Sequence, residues 1–391
     1  MEARQQLAER ILADLVAFPT VSGRPNGDII DYIGAYLSQH EVPFLLDPHA
    51  DGQRLNLFAT IGAGREGGIV LSGHTDVVPA SAEGWHSDPF TLRKENGRLY
   101  GRGAVDMKGF LAMALAMVPA FKLAEDSLQV PLHLAFTFDE EVGCFGSEQM
   151  PAFLAKHGIK PAMAVIGEPT EMHPFIGHKG GMELTTTVRG TAGHASKPAG
   201  TVNAIYYAAK LIDFINGIAS EKAASPDLDS PFNPPHTSLS VGVITGGEGR
   251  NIIPDSCVFD WEIRPLPGDD PLATLAQIKS FAETELVPQM QDIAPETGIE
   301  FNMISNMPPM EARPDSVAAK LIARLWTNEM PDVVSFGTDG AYFQQAGMET
   351  IVFGPGGMAQ MHQPDEYIEC AAITEGLTFL DRLLGHMQDG A

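Results

Sequence analysis

The chain has 391 residues, long enough for two domains rather than one core. Its 44% hydrophobic and 19% charged content is that of a globular protein, and 25 basic against 50 acidic residues (net charge -25) argue against nucleic acid or an anionic membrane as partner. Three widely spaced cysteines, Cys144, Cys257 and Cys370, exclude a disulfide scaffold or a Cys-rich zinc module and fit a reducing, cytoplasmic setting.

The first element expected is a helix over Glu2 to Ala17, with Leu7, Ile11, Leu12 and Leu15 at helical spacing. Glu9, Arg10 and Asp14 interrupt it with charge, which excludes a signal-peptide core, and no later apolar run is long enough to cross a bilayer. Gly62-Ala63-Gly64-Arg65-Glu66-Gly67 matches a dinucleotide fingerprint, but a strand rather than a helix follows it, so it reads as a hairpin-type turn. Strands are expected at Ile69 to Leu71, Leu132 to Phe138, Ala162 to Ile166, Val333 to Phe336 and Thr350 to Phe353, with a buried helix at Phe110 to Val118. This alternation predicts an α/β domain with a mainly parallel sheet, whose ligands belong outside the carboxyl ends of the strands.

Between them the order changes. Strand Glu183 to Arg189, helix Val202 to Ile215, strands Ser238 to Val243 and Cys257 to Ile263, helix Leu272 to Glu285 and strand Ile299 to Ile304 make a β-α-β-β-α-β unit, which is ferredoxin-like. Breaker residues at Lys179-Gly180-Gly181 and Met307-Pro308-Pro309 bound it, and Ser220 to Pro235 reads as a surface loop. The expected organisation is a metal-binding catalytic domain from residues 1–180 and 310–391 with a dimerisation or lid domain, 181–309, inserted.

Acids and histidines fall at successive strand ends. Ser72-Gly73-His74-Thr75-Asp76 places His74 and Asp76 on one face of extended chain, where the acid could fix the imidazole tautomer. Asp106, in Gly101-Arg102-Gly103-Ala104-Val105-Asp106-Met107-Lys108-Gly109, sits before a helix, where an aspartate can cap the helix or reach two ions with one oxygen each. Asp139-Glu140-Glu141 repel one another unless cations compensate; a metal on Glu141 would leave Glu140 to act as general base. Glu168 follows the next strand, and His362 follows the Gly354 to Gly357 turn, in Met361-His362-Gln363-Pro364-Asp365-Glu366. Singly each motif fits an ordinary structural role. Together they supply the nitrogen and oxygen donors of a dinuclear site with ions about 3.5–4 Å apart, zinc first and cobalt second.

These motifs, in this order and over essentially the whole chain, resemble the zinc-dependent aminoacylase/carboxypeptidase family of metallohydrolases. The resemblance implies a phosphorylase/hydrolase-like catalytic domain, His74, Asp106 and Glu168 on one metal, and Asp106, Glu141 and His362 on the other. It implies Asp76 as the acid behind His74 and Glu140 as catalytic base. It further implies that His194, in Gly193-His194-Ala195-Ser196, stabilises an oxyanion in the partner subunit of a homodimer. Arg264 and Asn251 resemble contacts to the carboxylate of a small N-acyl amino acid, with Thr338 of Gly337-Thr338-Asp339-Gly340 a further substrate contact. Gly177-His178-Lys179-Gly180, Arg264-Pro265-Leu266-Pro267-Gly268 and His362-Gln363-Pro364-Asp365-Glu366-Tyr367 point to a branch that removes acetyl groups from amino acids. Gly181 departs from that branch, where a bulkier residue is usual.

Overall fold

The computed structural model describes residues 1–81 and 83–389. Contacts divide the chain into two units: Met1–Gly177, Glu311–Val333 and Thr338–Ala391 form one, and His178–Met310 with Val334–Gly337 the other.

The larger unit is built on an eight-stranded sheet in the order Phe44–Pro48, Leu55–Ile61, Leu132–Thr137, Ile69–His74, Met163–Ile166, Glu349–Val352, Phe175–His178, Asp332–Val334. The four central strands, Leu132–Thr137 through Glu349–Val352, run parallel, and antiparallel pairings add Leu55–Ile61 and Phe44–Pro48 on one side and Phe175–His178 on the other. Every residue of Ile69–His74 and of Leu132–Thr137 is buried, as expected of strands covered on both faces. Their apolar runs hide no alternation. Helix Lys108–Leu123 is buried on nearly all sides and packs against helix Glu2–Val16, whose Ala8, Ile11, Leu12, Leu15 and Val16 face the core.

Three local expectations are corrected. The Gly62–Gly67 segment is no hairpin: Leu55–Ile61 and Ile69–His74 are separated in the sheet by Leu132–Thr137, so it is a crossover. Helix Ala204–Ala224 runs through the first residues of the expected 220–235 loop, and the strand expected to reach Phe336 ends at Val334.

The smaller unit carries an antiparallel four-stranded sheet in the order Ser238–Gly246, Ser256–Arg264, Gly181–Arg189, Gly298–Met307. Helices Ala204–Ala224 and Pro271–Phe281 occur between strands in β-α-β-β-α-β order. Alternation is plain here: Met182, Leu184, Thr186 and Val188 are buried on one strand, and Cys257, Phe259, Trp261 and Ile263 on its neighbour. Asp270 caps Pro271–Phe281 through the amides of Leu272 and Ala273. Among the described residues no helix is long and apolar enough to cross a membrane.

His133, on the sheet, is fully buried with its Nδ1 2.9 Å from Thr60 Oγ1. Burial pushes its pKa down from 6.5 to about 4. The unfolded chain therefore binds the proton first, so this contribution to stability is present above pH 6.5 and is lost as pH falls through 4. The gap is worth about 3 kcal/mol. Urea midpoints of wild type and His133→Asn, compared from pH 7 to 4, should converge as the pH falls; parallel curves would contradict this.

Candidate active site

The site-forming side chains of the larger unit stand where the central strands end. His74 closes its strand, and its Nδ1 lies 2.9 Å from the backbone carbonyl of Asp76, which leaves Nε2 facing Asp106 Oδ1 at 3.1 Å. A ring whose Nδ1–H is held by a carbonyl offers its other nitrogen as a lone-pair donor. His362 Nε2 lies 3.2 Å from the second oxygen, Asp106 Oδ2, and 2.8 Å from Glu141 Oε2. One carboxylate thus faces two histidines, one with each oxygen.

Glu168 completes the first group, with Oε1 4.0 Å from His74 Nε2. Its strand-end position is tight: a Cβ on the preceding Gly167 would lie 2.1 Å from the Phe110 ring, so only glycine lets this turn approach the buried helix. The donor atoms of His74, Asp106 and Glu168 lie within 4.8 Å of one another, as do those of Asp106, Glu141 and His362.

The donors fit divalent metal ions. Glu168 Oε1 is buried without a hydrogen-bond partner, and the buried Asp106 Oδ2 meets only the His362 ring, an arrangement that is costly unless a cation answers them. Two imidazoles and three carboxylates are the donor set of zinc and its borderline neighbours. Hydrogen bonds to Asp106 and Glu141 raise His362 to about 10, and burial, opposed by bonds to Asp106 and Asp76, leaves His74 well above its ordinary value. Ion uptake must displace these protons.

Asp139-Glu140-Glu141 is sorted residue by residue. Asp139, at φ 53°, accepts from Gly23 N at 2.7 Å and pairs with Arg54. Glu141 faces His362. Glu140 bonds neither histidine in these contacts; burial and the charge of Glu168 push it well above the ordinary carboxyl range. A carboxyl raised in this way suits proton transfer near neutral pH.

Asp76 lies beside His74 and makes further contacts. Its carboxylate is 3.5 Å from His74 Nδ1, and it also accepts from Glu140 N at 3.1 Å, Glu141 N at 3.4 Å and Ser22 Oγ at 2.7 Å. It clamps the turn that carries both glutamates. Asp76→Asn, which sets an amide NH2 against one of these donors, is expected to lower kcat by about 10–100-fold with metal content near wild type. An unchanged kcat accompanied by loss of one ion would limit the residue to its contact with His74.

Two further buried acids escaped the sequence reading. Asp339 accepts from Thr137 Oγ1 at 2.7 Å and from Ser147 Oγ, and Glu366 is bonded to the loop that carries Asp106. Thr338 is only 1% exposed, and its hydroxyl accepts the Gly340 amide.

His194, Asn251 and Arg264 belong to the smaller unit. His194 is exposed on a two-stranded ribbon where it pairs with Ile252, and the Ala195 amide donates to the carbonyl of Asn251, so these two residues are neighbours. His194 Nδ1 accepts the Ser196 amide at 3.2 Å, which puts the proton of a neutral ring on Nε2. Arg264 forms an ion pair with Glu262 at 2.7 Å, and its Nη1 is 3.0 Å from where a Cβ of Gly181 would stand. The missing side chain at Gly181 is filled by that guanidinium.

The profile described as Peptidase family M20/M25/M40 matches residues 70–386. The chain belongs to that family. It is 35% identical over 387 residues to acetylornithine deacetylase of Myxococcus xanthus, covering 97% of each chain, and 30% identical over 383 residues to that of Pasteurella multocida, covering 96% of this chain and 97% of the relative. The M20 family metallo-carboxypeptidase of Sulfolobus solfataricus superposes with a TM-score of 0.77 at 17% identity, covering 98% and 99% of the two chains. As a member of the M20/M25/M40 family the chain is a metal-dependent hydrolase, and the two donor groups around Asp106 are its candidate ion sites.

Proposed function

We propose that this M20-family chain is a dinuclear amidohydrolase that removes the acetyl group from N2-acetyl-L-ornithine, giving L-ornithine and acetate for arginine biosynthesis. The observation that carries the two-ion reading is Asp106, whose oxygens face His74 and His362 separately. The substrate rests on relatives of that name that align over nearly the full length.

In this reading His74, Asp106 and Glu168 hold one ion, and Asp106, Glu141 and His362 the other. Divalent ions there, zinc or else cobalt, would polarise the acyl carbonyl and acidify water. Glu140, free of the histidines, takes the proton of the attacking water and returns it to the departing α-amine. Asp76 and Asp139, held by Ser22, Gly23 and Arg54, fix the turn from which Glu140 acts. His194, with its proton on Nε2, is assigned to stabilising the tetrahedral oxyanion, in a homodimer. Arg264, Asn251 and Thr338 are assigned to the substrate, and of the three Thr338 is the least accessible.

The test is a substrate panel on the metal-reconstituted protein. The highest kcat/KM is expected for N2-acetyl-L-ornithine. A higher value for N-succinyl-diaminopimelate, or equal rates across acetylated amino acids and dipeptides, would replace the substrate while leaving the metal chemistry intact.

A further inference from the structure

We propose that Glu366 is a positioning residue: it pre-forms the Asp106 turn and ties it to the His362 segment, so that the bridging carboxylate is in place before any ion binds. The inference rests on the reading of Asp106 as a bridge.

The Glu366 carboxylate is 1% exposed, and four donors surround it. Oε1 accepts from Val105 N at 2.9 Å and Asp106 N at 3.1 Å. Oε2 accepts from Gly103 N at 3.0 Å and from Arg102 Nη1 at 2.7 Å. Four bonds fill the acceptor capacity of a carboxylate, so the residue has none left for an ion or a substrate. Its work is done on the backbone. Three backbone donors of the 103–106 turn, Gly103, Val105 and Asp106, converge on one anion, as backbone amides do around bound anions. Here the anion is supplied by the chain, and Gly103, at φ 81°, gives the turn its left-handed step.

The other end of the link is His362, four residues earlier. The Glu366 carbonyl accepts the Gly101 amide at 2.9 Å, and the next residues, Tyr367–Glu369, pair with Arg98–Tyr100. The two segments that supply Asp106 and His362 are therefore zipped together at Glu366 and just after it. A helix-capping role would need none of this. Asp106 precedes helix Lys108–Leu123, whose N-cap position is Met107 with no side-chain cap bond.

Glu366→Gln keeps shape but sets an NH2 group against two of the four donors, whichever way the amide turns. With cobalt, wild type should bind two equivalents and the variant about one, with an altered visible spectrum and a kcat loss that exceeds any change in KM. A purely structural residue would lower the melting temperature and leave the cobalt spectrum of the loaded protein as in wild type. Hydrogen exchange on wild type tests the same point without a variant, should Glu366→Gln fail to fold. The Gly103, Val105 and Asp106 amides should be protected in the apoprotein to within about tenfold of the loaded protein. Free exchange of these amides in the apoprotein, or a variant with two equivalents and the wild-type spectrum, would overturn the inference alone. Wild type that takes up no metal would overturn the two-ion reading as well.

Discussion

Glu140→Gln is expected to keep the fold and both ions while kcat falls by about 10²–10⁴-fold, the range general-base catalysis contributes. The substitution preserves side-chain volume and removes the proton acceptor. The turn should survive it, because its anchors are the amides of residues 140 and 141 on Asp76 and the pairing of Asp139 with Arg54, none of which uses the Glu140 side chain. Metal content should survive too, since His362 and Asp106 face Glu141 rather than Glu140. The check is kcat beside elemental analysis on one preparation. Near-normal turnover would remove Glu140 from the mechanism; loss of an ion would make it a ligand.

Asp106→Ala is expected to empty both sites at once, whereas Glu141→Ala should empty one. Only Asp106 belongs to both donor groups. Two effects on stability oppose one another. In the ion-free chain burial raises Glu141, and the charge of Asp106 raises it further, so deleting Asp106 relieves a repulsion while it also removes the partner of two histidines. The apoprotein should therefore melt near wild type. The difference appears on loading: each ion at a hundred times its Kd stabilises wild type by about 2.7 kcal/mol, and the variant by nothing. Melting curves with and without zinc read this directly, and a metal-dependent shift retained in Asp106→Ala would contradict the bridge.

The fold was legible where side-chain periodicity carries it. In the smaller unit alternation along Gly181–Arg189 and Ser256–Arg264 marks each strand, and the order of elements follows. The larger unit is harder, because Ile69–His74 and Leu132–Thr137 are buried on both faces and show no period, so neighbours in the sheet cannot be paired from sequence. That is why the Gly62–Gly67 crossover reads as a hairpin. For the site, donors at strand ends were visible because each sits beside a strand or a Gly-rich turn. Their supports were not. Glu366 meets residues 260 and more positions away, Asp139 meets Arg54 85 positions away, and Asp339 meets Thr137 across 202. Nothing local distinguishes such acids from solvated ones. Glu366 alone had a usable cue, as a second acid in the motif of His362 before a short strand. Asp76 was legible beside His74 from strand periodicity, whereas its further bond to the Glu140 amide, 64 positions away, was not.

The most direct test of the two-ion reading is a metal titration of the apoprotein followed by hydrolysis of N2-acetyl-L-ornithine. Activity should rise with added zinc or cobalt and level off at two equivalents per chain. Hydrolysis that remains at background with both metals, for this substrate and every other acylated amino acid tried, would contradict it.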